Sequence, residues 1–365
     1  MNKILFVIII LLIIIILLII DGLTIYDSFY NLNLGPRNLT MLKPAKTINF
    51  TDKIDNYEFN GVKYTMYSGN MSITNYKNGY LVVLRYCNWI PNQYIKLKNN
   101  ISINKYFILD KNYNVLKSDF LKINDSTDKY LIGIEDIRIF NNHNKDDILF
   151  MGSHYNKNKN IVEIASGKFN FDTLDYTAIT PNFIIKSSNN ELTPEYINFI
   201  QKYIVSWFDV FTDNSSHIKN INKWEKNWVF FNYLAEPHII YKWFPLHICK
   251  IHGDKLELVE IKEMPYVFAF SRGSTCGFQF EDKIWFIVHF ASRTKHYYDM
   301  FVIFDLEMNL LGYSNYLKYD NTKIQFAIGL VVEKEKIIIS YSIMDKYSLI
   351  SEYDKKYIES LIHWI

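Results

Sequence analysis

Gly133-Ile134-Glu135-Asp136-Ile137-Arg138 opens the stretch on which the reading of the fold turns. A polar cluster leads into an apolar run, a turn follows over Asn142 to Asp147, and a second apolar run returns from Ile148 to His154. Runs of this length, rich in β-branched and aromatic residues and bounded by Asn, Asp, Gly and Lys, predict a β-hairpin.

The same layout recurs on either side. Asn70-Met71-Ser72-Ile73 turns at Asn78-Gly79 into Tyr80 to Arg85, followed by Tyr86-Cys87-Asn88-Trp89. Glu225-Lys226-Asn227-Trp228 leads to His238 to Trp243, and Arg272-Gly273-Ser274-Thr275 leads to Ile284 to His289. Phe326 to Val332 turns on Glu333 to Lys336 and returns as Ile337 to Ser342. Five such hairpins, roughly fifty to ninety residues apart, predict a radial array of sheets, an all-β five-bladed β-propeller. Inner strands of a propeller begin near one mouth of the central channel, so Asp136, Lys226 and Arg272 are expected to converge there. The alternative is that each cluster caps its own hairpin.

One segment departs from the pattern. Thr193-Pro194-Glu195, followed by Ile197, Ile200, Ile204, Trp207 or Phe208, and Phe211, has helical spacing behind an N-cap and a first-turn proline, which predicts an inserted helix between the second and third blades. Tyr357, Ile358, Leu361 and Ile362 suggest a short closing helix.

Ile4 to Ile20 is an unbroken run of Ile, Leu, Val and Phe behind Met1-Asn2-Lys3, long enough to span a bilayer core as a transmembrane helix. It meets Asp21 without small residues at a cleavage site, which favours an uncleaved signal anchor over a signal peptide. Lys3 places the short N-terminus in the cytosol and the rest on the lumenal or extracellular side, a type II topology. The expected organisation is an anchor over 1–21, a stem over 22–60 and a propeller domain over 61–365. Sequons at Asn38, Asn49, Asn70, Asn100, Asn124 and Asn214 permit a lumenal domain, although a chain this rich in Asn produces several by chance.

The 365 residues carry 40 basic and 38 acidic side chains, which leaves no electrostatic footprint for a nucleic-acid backbone. The 13 glycines fall short of the roughly 7% of average usage, arguing against glycine-rich phosphate loops. Cys87, Cys249 and Cys276 are too far apart for a zinc knuckle or a redox pair, and leave open one disulfide or three buried thiols. There is no G-x-S-x-G elbow, H-E-x-x-H, Walker loop or D-x-D, so metal-free chemistry without a cofactor is expected.

Taken in order, the clusters resemble those of the five-bladed propeller enzymes acting on mannosides: the family 130 glycoside phosphorylases and hydrolases and the related fungal β-1,2-mannosyltransferases. Gly133 to Arg138 resembles the family's G-x-E-D-P-R, with Ile137 in place of Pro. Glu225 to Trp228 resembles E-K-N-W, and Arg272 to Thr275 resembles R-G-[GS]-T with His289 ending the next strand. Asn70 to Ile73 and Arg85 to Asn88 resemble the N-x-S-I and R-Y-x-N pair. The likeness covers about residues 65 to 350. After Pro245, where the family tends to place His, this chain has Leu246 and then His247.

The resemblance implies chemistry at an anomeric carbon. Inversion needs an acid on the departing oxygen and a nucleophile on the opposite face, and Asp136 is the candidate acid. Lys226, Arg272 and His289 are candidates for holding a phosphate. A hydrolase needs a second carboxylate about 6.5–9.5 Å from the first, for which Glu225 is available. Asn70, Arg85, Asn88, Glu135, Arg138 and Asn227 are candidates for binding the sugar, Glu135 from the other side of its strand or by orienting Arg138. Against these stand blander readings: an Asp136–Arg138 ion pair bracing the blades, a solvated Lys226, a core His289, and Trp89, Trp228 and Tyr341 as packing residues. The expected function is a membrane-anchored enzyme moving a mannose-like sugar between a sugar-phosphate or nucleotide-sugar donor and a carbohydrate acceptor. A mannoside hydrolase and a catalytically silent glycan- or protein-binding propeller are the alternatives.

Overall fold

The computed structural model describes residues 39–88, 100–122, 131–142, 147–156, 158–179, 183–184, 225–292 and 296–365. The apolar run 4–20, the helix expected over 193–211 and Trp89 lie outside them. Among the described residues no helix is long and apolar enough to cross a membrane.

The described chain is nearly all strand, gathered into five sheets. Each expected hairpin forms the inner part of one sheet. Val62–Tyr76 pairs with Gly79–Cys87 in the first, and Ile134–Asn142 with Asp147–Asn156 in the second. Val229–Tyr233 pairs with Glu236–Trp243 in the third. In the fourth the inner strand is split, Arg272–Gly273 and Phe278–Phe280 both pairing with Lys283–Ala291. Gln325–Val332 pairs with Lys336–Ile343 in the fifth. The inner strand of the first sheet touches those of the second and fifth, that of the third touches the second and Phe278–Phe280, and Phe278–Phe280 touches the fifth. The architecture is all-β and propeller-like, with four of the sheets arranged as blades.

Each strand turns one apolar face toward a neighbouring sheet, so the core is a series of seams. Leu81, Ile139 and Phe150 fill the seam between the first and second sheets, and Phe140, Trp228 and Phe230 that between the second and third. Trp243, Phe286 and Val302 join the third to the fourth, while Ile73, Trp285 and Ile339 join the fourth, fifth and first. Trp228 and Tyr341 are buried in these seams, as packing residues. Cys87, Cys249 and Cys276 are buried and no two of them are joined, so the possible disulfide does not form.

The N-terminal part of the described chain, from Leu39 to Phe59, pairs into three of the sheets. Lys46–Asn49 lies antiparallel to Tyr347–Asp354 at the outside of the fifth sheet, Leu39–Met41 runs parallel to Tyr316–Lys318 in the fourth, and Lys53–Phe59 joins the first. The closing helix spans Lys355–Glu359, capped by the Asp354 carboxylate accepting from Tyr357 N, and Ile362 belongs instead to the strand Ile362–Trp364.

Candidate active site

The inner strands reach the site through distortions of their ladders. In the second sheet Arg138 pairs with Met151 and Glu135 with Ser153, so Asp136 and Ile137 together face Gly152. This is a β-bulge, and Asp136 sits in its left-handed position with φ 53°. Gly152 makes the bulge possible, because a Cβ there would collide with the Ile134 side chain and lie 2.7 Å from Glu135 O. A comparable slip in the first sheet sets Gly69 and Asn70 against Arg85. Strict alternation would send Glu135 and Asp136 to opposite faces; the bulge turns both into one cavity.

That cavity, of about 610 Å³, collects side chains from four of the sheets and from the segment leading into the third. Asn70, Arg85, Asn88, Glu135, Asp136, Lys226, Asn227, Arg272 and His289 all line it. Arg85 is the hub: Nη1 donates to Asp136 Oδ1 (2.9 Å), Nη2 to Glu135 Oε1 (2.6 Å) and Nε to Ser102 Oγ (2.9 Å). Asn70 Nδ2 donates to the same Asp136 Oδ1 (2.7 Å), its own Oδ1 being fixed by Ser342 Oγ. Both contacts fall on Oδ1, and Oδ2 has no protein partner among the described residues. Glu135 thus pairs with Arg85, with Lys226 Nζ 3.9 Å from its other oxygen, rather than with Arg138 as expected. Asn88 Oδ1 accepts from Ile101 N (2.9 Å), bracing the wall.

Two expected site residues are elsewhere. Arg138 is buried beneath the cavity, donating to Ser274 O (2.7 Å), Asp136 O (3.1 Å) and Asn227 Oδ1 (3.2 Å), so it ties three sheets together and supports the bulge from behind. It braces the sheets through backbone carbonyls instead of an ion pair with the Asp136 carboxylate. Glu225 is buried outside the cavity lining, its Oε2 accepting from Trp228 Nε1 (3.2 Å) and its N–H donating to Val162 O. The sequon at Asn70 is likewise internal: a buried amide holding Asp136 offers no acceptor for a glycan in the folded chain.

Burial alone would raise the Asp136 carboxyl, but Arg85, Arg138, the Asn70 amide and Lys226 outweigh it and hold the group below its ordinary value. It is a carboxylate. His289 is driven well below its ordinary value by burial and then by Arg272 and Arg138, which leaves a neutral imidazole. It lies flat against Tyr297 and edge-on to Phe326, and its Nδ1 has no hydrogen-bond partner among the described residues. Arg272, cross-strand from His289, is exposed toward the cavity and has no ion-pair partner among the described residues.

Tyr297, Phe326 and Asp345 are among the lining residues that were not anticipated. Asp345 occupies the turn after Lys336–Ile343, at φ 48° beside Met344 at φ 55°. Burial, then the negative charge of Asp136, pushes its carboxyl up to about 6, with Arg85 opposing. The signal for it was present, since polar or aromatic residues end the second strand of the other hairpins and Met344-Asp345-Lys346 stands at the matching place.

Neither a family model nor a curated protein sequence matches the chain. Solved structures do. A β-1,2-mannobiose phosphorylase from Listeria innocua, in complex with β-1,2-mannobiose, is 12% identical with a TM-score of 0.52, over 88% of this chain and 94% of its own. A candidate glycoside hydrolase from Parabacteroides distasonis is 13% identical with a TM-score of 0.50, over 79% and 87%. A candidate glycosidase from Bacteroides thetaiotaomicron gives 12% and 0.50, over 79% and 87%. At these identities the likeness is one of fold.

Proposed function

We propose that this chain is a sugar-active enzyme that moves a mannose-like residue between a phosphate-containing donor and a carbohydrate acceptor, with Asp136 handling the proton. One observation carries the proposal: a single cavity holds a carboxylate with one oxygen that has no partner among the described residues, together with the cationic side chains of Lys226 and Arg272. In the synthetic direction an acceptor hydroxyl attacks the anomeric carbon and gives its proton to Asp136 Oδ2. The bond from that carbon to the donor phosphate oxygen breaks, and the phosphate leaves with the electron pair toward Lys226, Arg272 and the neutral His289. Inversion follows from attack opposite the departing phosphate. A carboxyl held ionised is ready to be this base, whereas phosphorolysis requires the same group to take up a proton first.

Supporting a five-bladed propeller is the closed circuit of contacts among the inner strands. The apolar run 4–20 is kept as a type II anchor, with the sheets on the lumenal or extracellular side, on the strength of its length and of Lys3. Hydrolysis loses its second carboxylate with Glu225 buried elsewhere, and would have to use Asp345 or the Arg85-bound Glu135.

The test offers the full-length protein in detergent mannose 1-phosphate, nucleotide-activated mannose, and a β-mannoside with phosphate or with water alone. Mannosyl product from an activated donor that disappears in Asp136→Asn supports transfer. Release of free mannose regardless of phosphate overturns it in favour of hydrolysis, and inertness with glycan affinity unaffected by Asp136→Asn overturns any enzymatic reading.

A further inference from the structure

Six N-x-[ST] sequons run through the chain, and the described residues include Asn49-Phe50-Thr51, Asn70-Met71-Ser72 and Asn100-Ile101-Ser102. The fold sorts these three. Asn70 is 5% exposed, its Nδ2 donating to Asp136 Oδ1 and its Oδ1 accepting from Ser342 Oγ. Asn100 lines the central cavity, and the hydroxyl of its sequon, Ser102 Oγ, is buried and accepts from Arg85 Nε (2.9 Å). A bulky substituent on either amide would fill the cavity or displace the groups that hold Asp136, so a chain modified there cannot assemble the site.

Asn49 is placed differently. It ends the strand Lys46–Asn49, the outermost of the fifth sheet, which pairs with Tyr347–Asp354 on one side and with no described strand on the other. Its side chain is exposed, while Ile48 before it and Phe50 after it pack against the core. Asn49 Oδ1 accepts from Thr51 N (2.8 Å), and its Nδ2 has no protein partner among the described residues. Thr51 is exposed as well, its Oγ1 accepting from Ser348 N (3.1 Å). The amide and the hydroxyl of this one sequon thus both lie at the surface, on an edge that no charged contact or strand covers from outside among the described residues.

We infer that Asn49 is a site of N-linked glycosylation, and that the oligosaccharide guards the open edge of the fifth sheet. The inference rests on the type II reading above, which puts the sheets on the side of the membrane where such glycans are transferred. In that step Asn49 Nδ2 attacks the anomeric carbon of an oligosaccharide carried on a lipid diphosphate. The bond from that carbon to the phosphate oxygen breaks, the lipid diphosphate leaves with the electron pair, and the amide proton passes to a base of the transferase. The acceptor is the entering chain, and the fold decides which modified chains go on to a closed site. An open edge strand is a template for a second chain, and a bulky, hydrated substituent at its end obstructs that pairing.

Full-length protein produced in a eukaryotic cell tests it, by peptide mass spectrometry before and after endoglycosidase treatment. Asn49 should carry oligosaccharide, and Asn70 and Asn100 should not. Asn49→Gln and Thr51→Ala should each lose that one oligosaccharide, and Thr51→Ser, which keeps the sequon hydroxyl, should retain it. In detergent, sedimentation velocity should show the two glycan-free variants self-associating, with the wild type and Thr51→Ser monodisperse. A bare Asn49 in a chain that carries glycan on Asn38, Asn124 or Asn214 overturns the inference, as does glycan on Asn70 or Asn100 of the folded protein. Glycan-free variants as monodisperse as the wild type overturn the edge role. Protease digestion of sealed microsomes tells these failures from that of the topology. Sheets digested from outside sink the type II reading, whereas sheets shielded by the membrane with Asn49 unmodified sink the inference alone.

Discussion

Asp136 combines three unusual conditions: a left-handed backbone, burial, and charge neighbours strong enough to reverse the effect of burial. Asparagine tolerates that backbone and still offers an oxygen to Asn70 and Arg85, so Asp136→Asn should fold as the wild type does. Its transfer rate should fall about 10²–10⁴-fold, the usual worth of a general base, in a single-turnover assay with circular dichroism as the folding control. Asp345 adds a pH dependence of definite sign. Its carboxyl is raised to about 6 in the folded chain, so the protonated form is the one folding favours. That contribution to stability is complete below the unfolded carboxyl value of about 4 and is lost as the pH rises through about 6. Asp136 runs the other way, contributing above the unfolded value and losing its contribution on acidification. Urea unfolding of Asp345→Asn between pH ~4 and ~7 should show a flatter profile than the wild type. An unchanged profile would mean that Asp345 titrates normally.

At the level of the strand, the hairpins were legible because alternating burial and turn chemistry write themselves into the sequence. The observed Gly79–Cys87, Lys283–Ala291 and Lys336–Ile343 contain the expected return strands within a residue or two of their ends. The bulges were not legible. A slip of one residue leaves the composition of a strand intact while reversing which side chains share a face, and for that reason Glu135 and Asp136 looked opposed when they are neighbours. The trace of the slip lies on the partner strand, in Gly152, where the backbones approach too closely for a side chain. Gly152→Ala should therefore cost about 1–3 kcal/mol, as overpacking does, and should also lower activity by displacing Asp136. Thermal unfolding together with the transfer assay checks this; stability lost with activity kept would separate the bulge from the chemistry.

At the scale of the whole molecule, the outer edges of the fourth and fifth sheets depend on the segment that looked least structured. Leu39–Met41 and Lys46–Asn49 are short and mostly exposed edge strands, so no hydrophobic alternation announces them. Their conformation is imposed by partners some three hundred residues away, as in the Thr47 Oγ1 to Ser351 Oγ bond (2.9 Å). Between them Leu42 is buried in the seam of the fourth, fifth and first sheets, and its backbone N–H donates to Lys318 O (2.8 Å). Removing this segment would uncover Tyr316–Lys318 and Tyr347–Asp354 as open edges and empty a core position worth about 2–5 kcal/mol by itself. A chain beginning at residue 51 should accordingly unfold at lower temperature than one beginning at residue 39 and should self-associate through the bared edges. Scanning calorimetry with sedimentation velocity distinguishes the two. Equal melting temperatures and equal monodispersity would show that the fold forms fully without its N-terminal strands, and that their pairing with the outer edges is decorative.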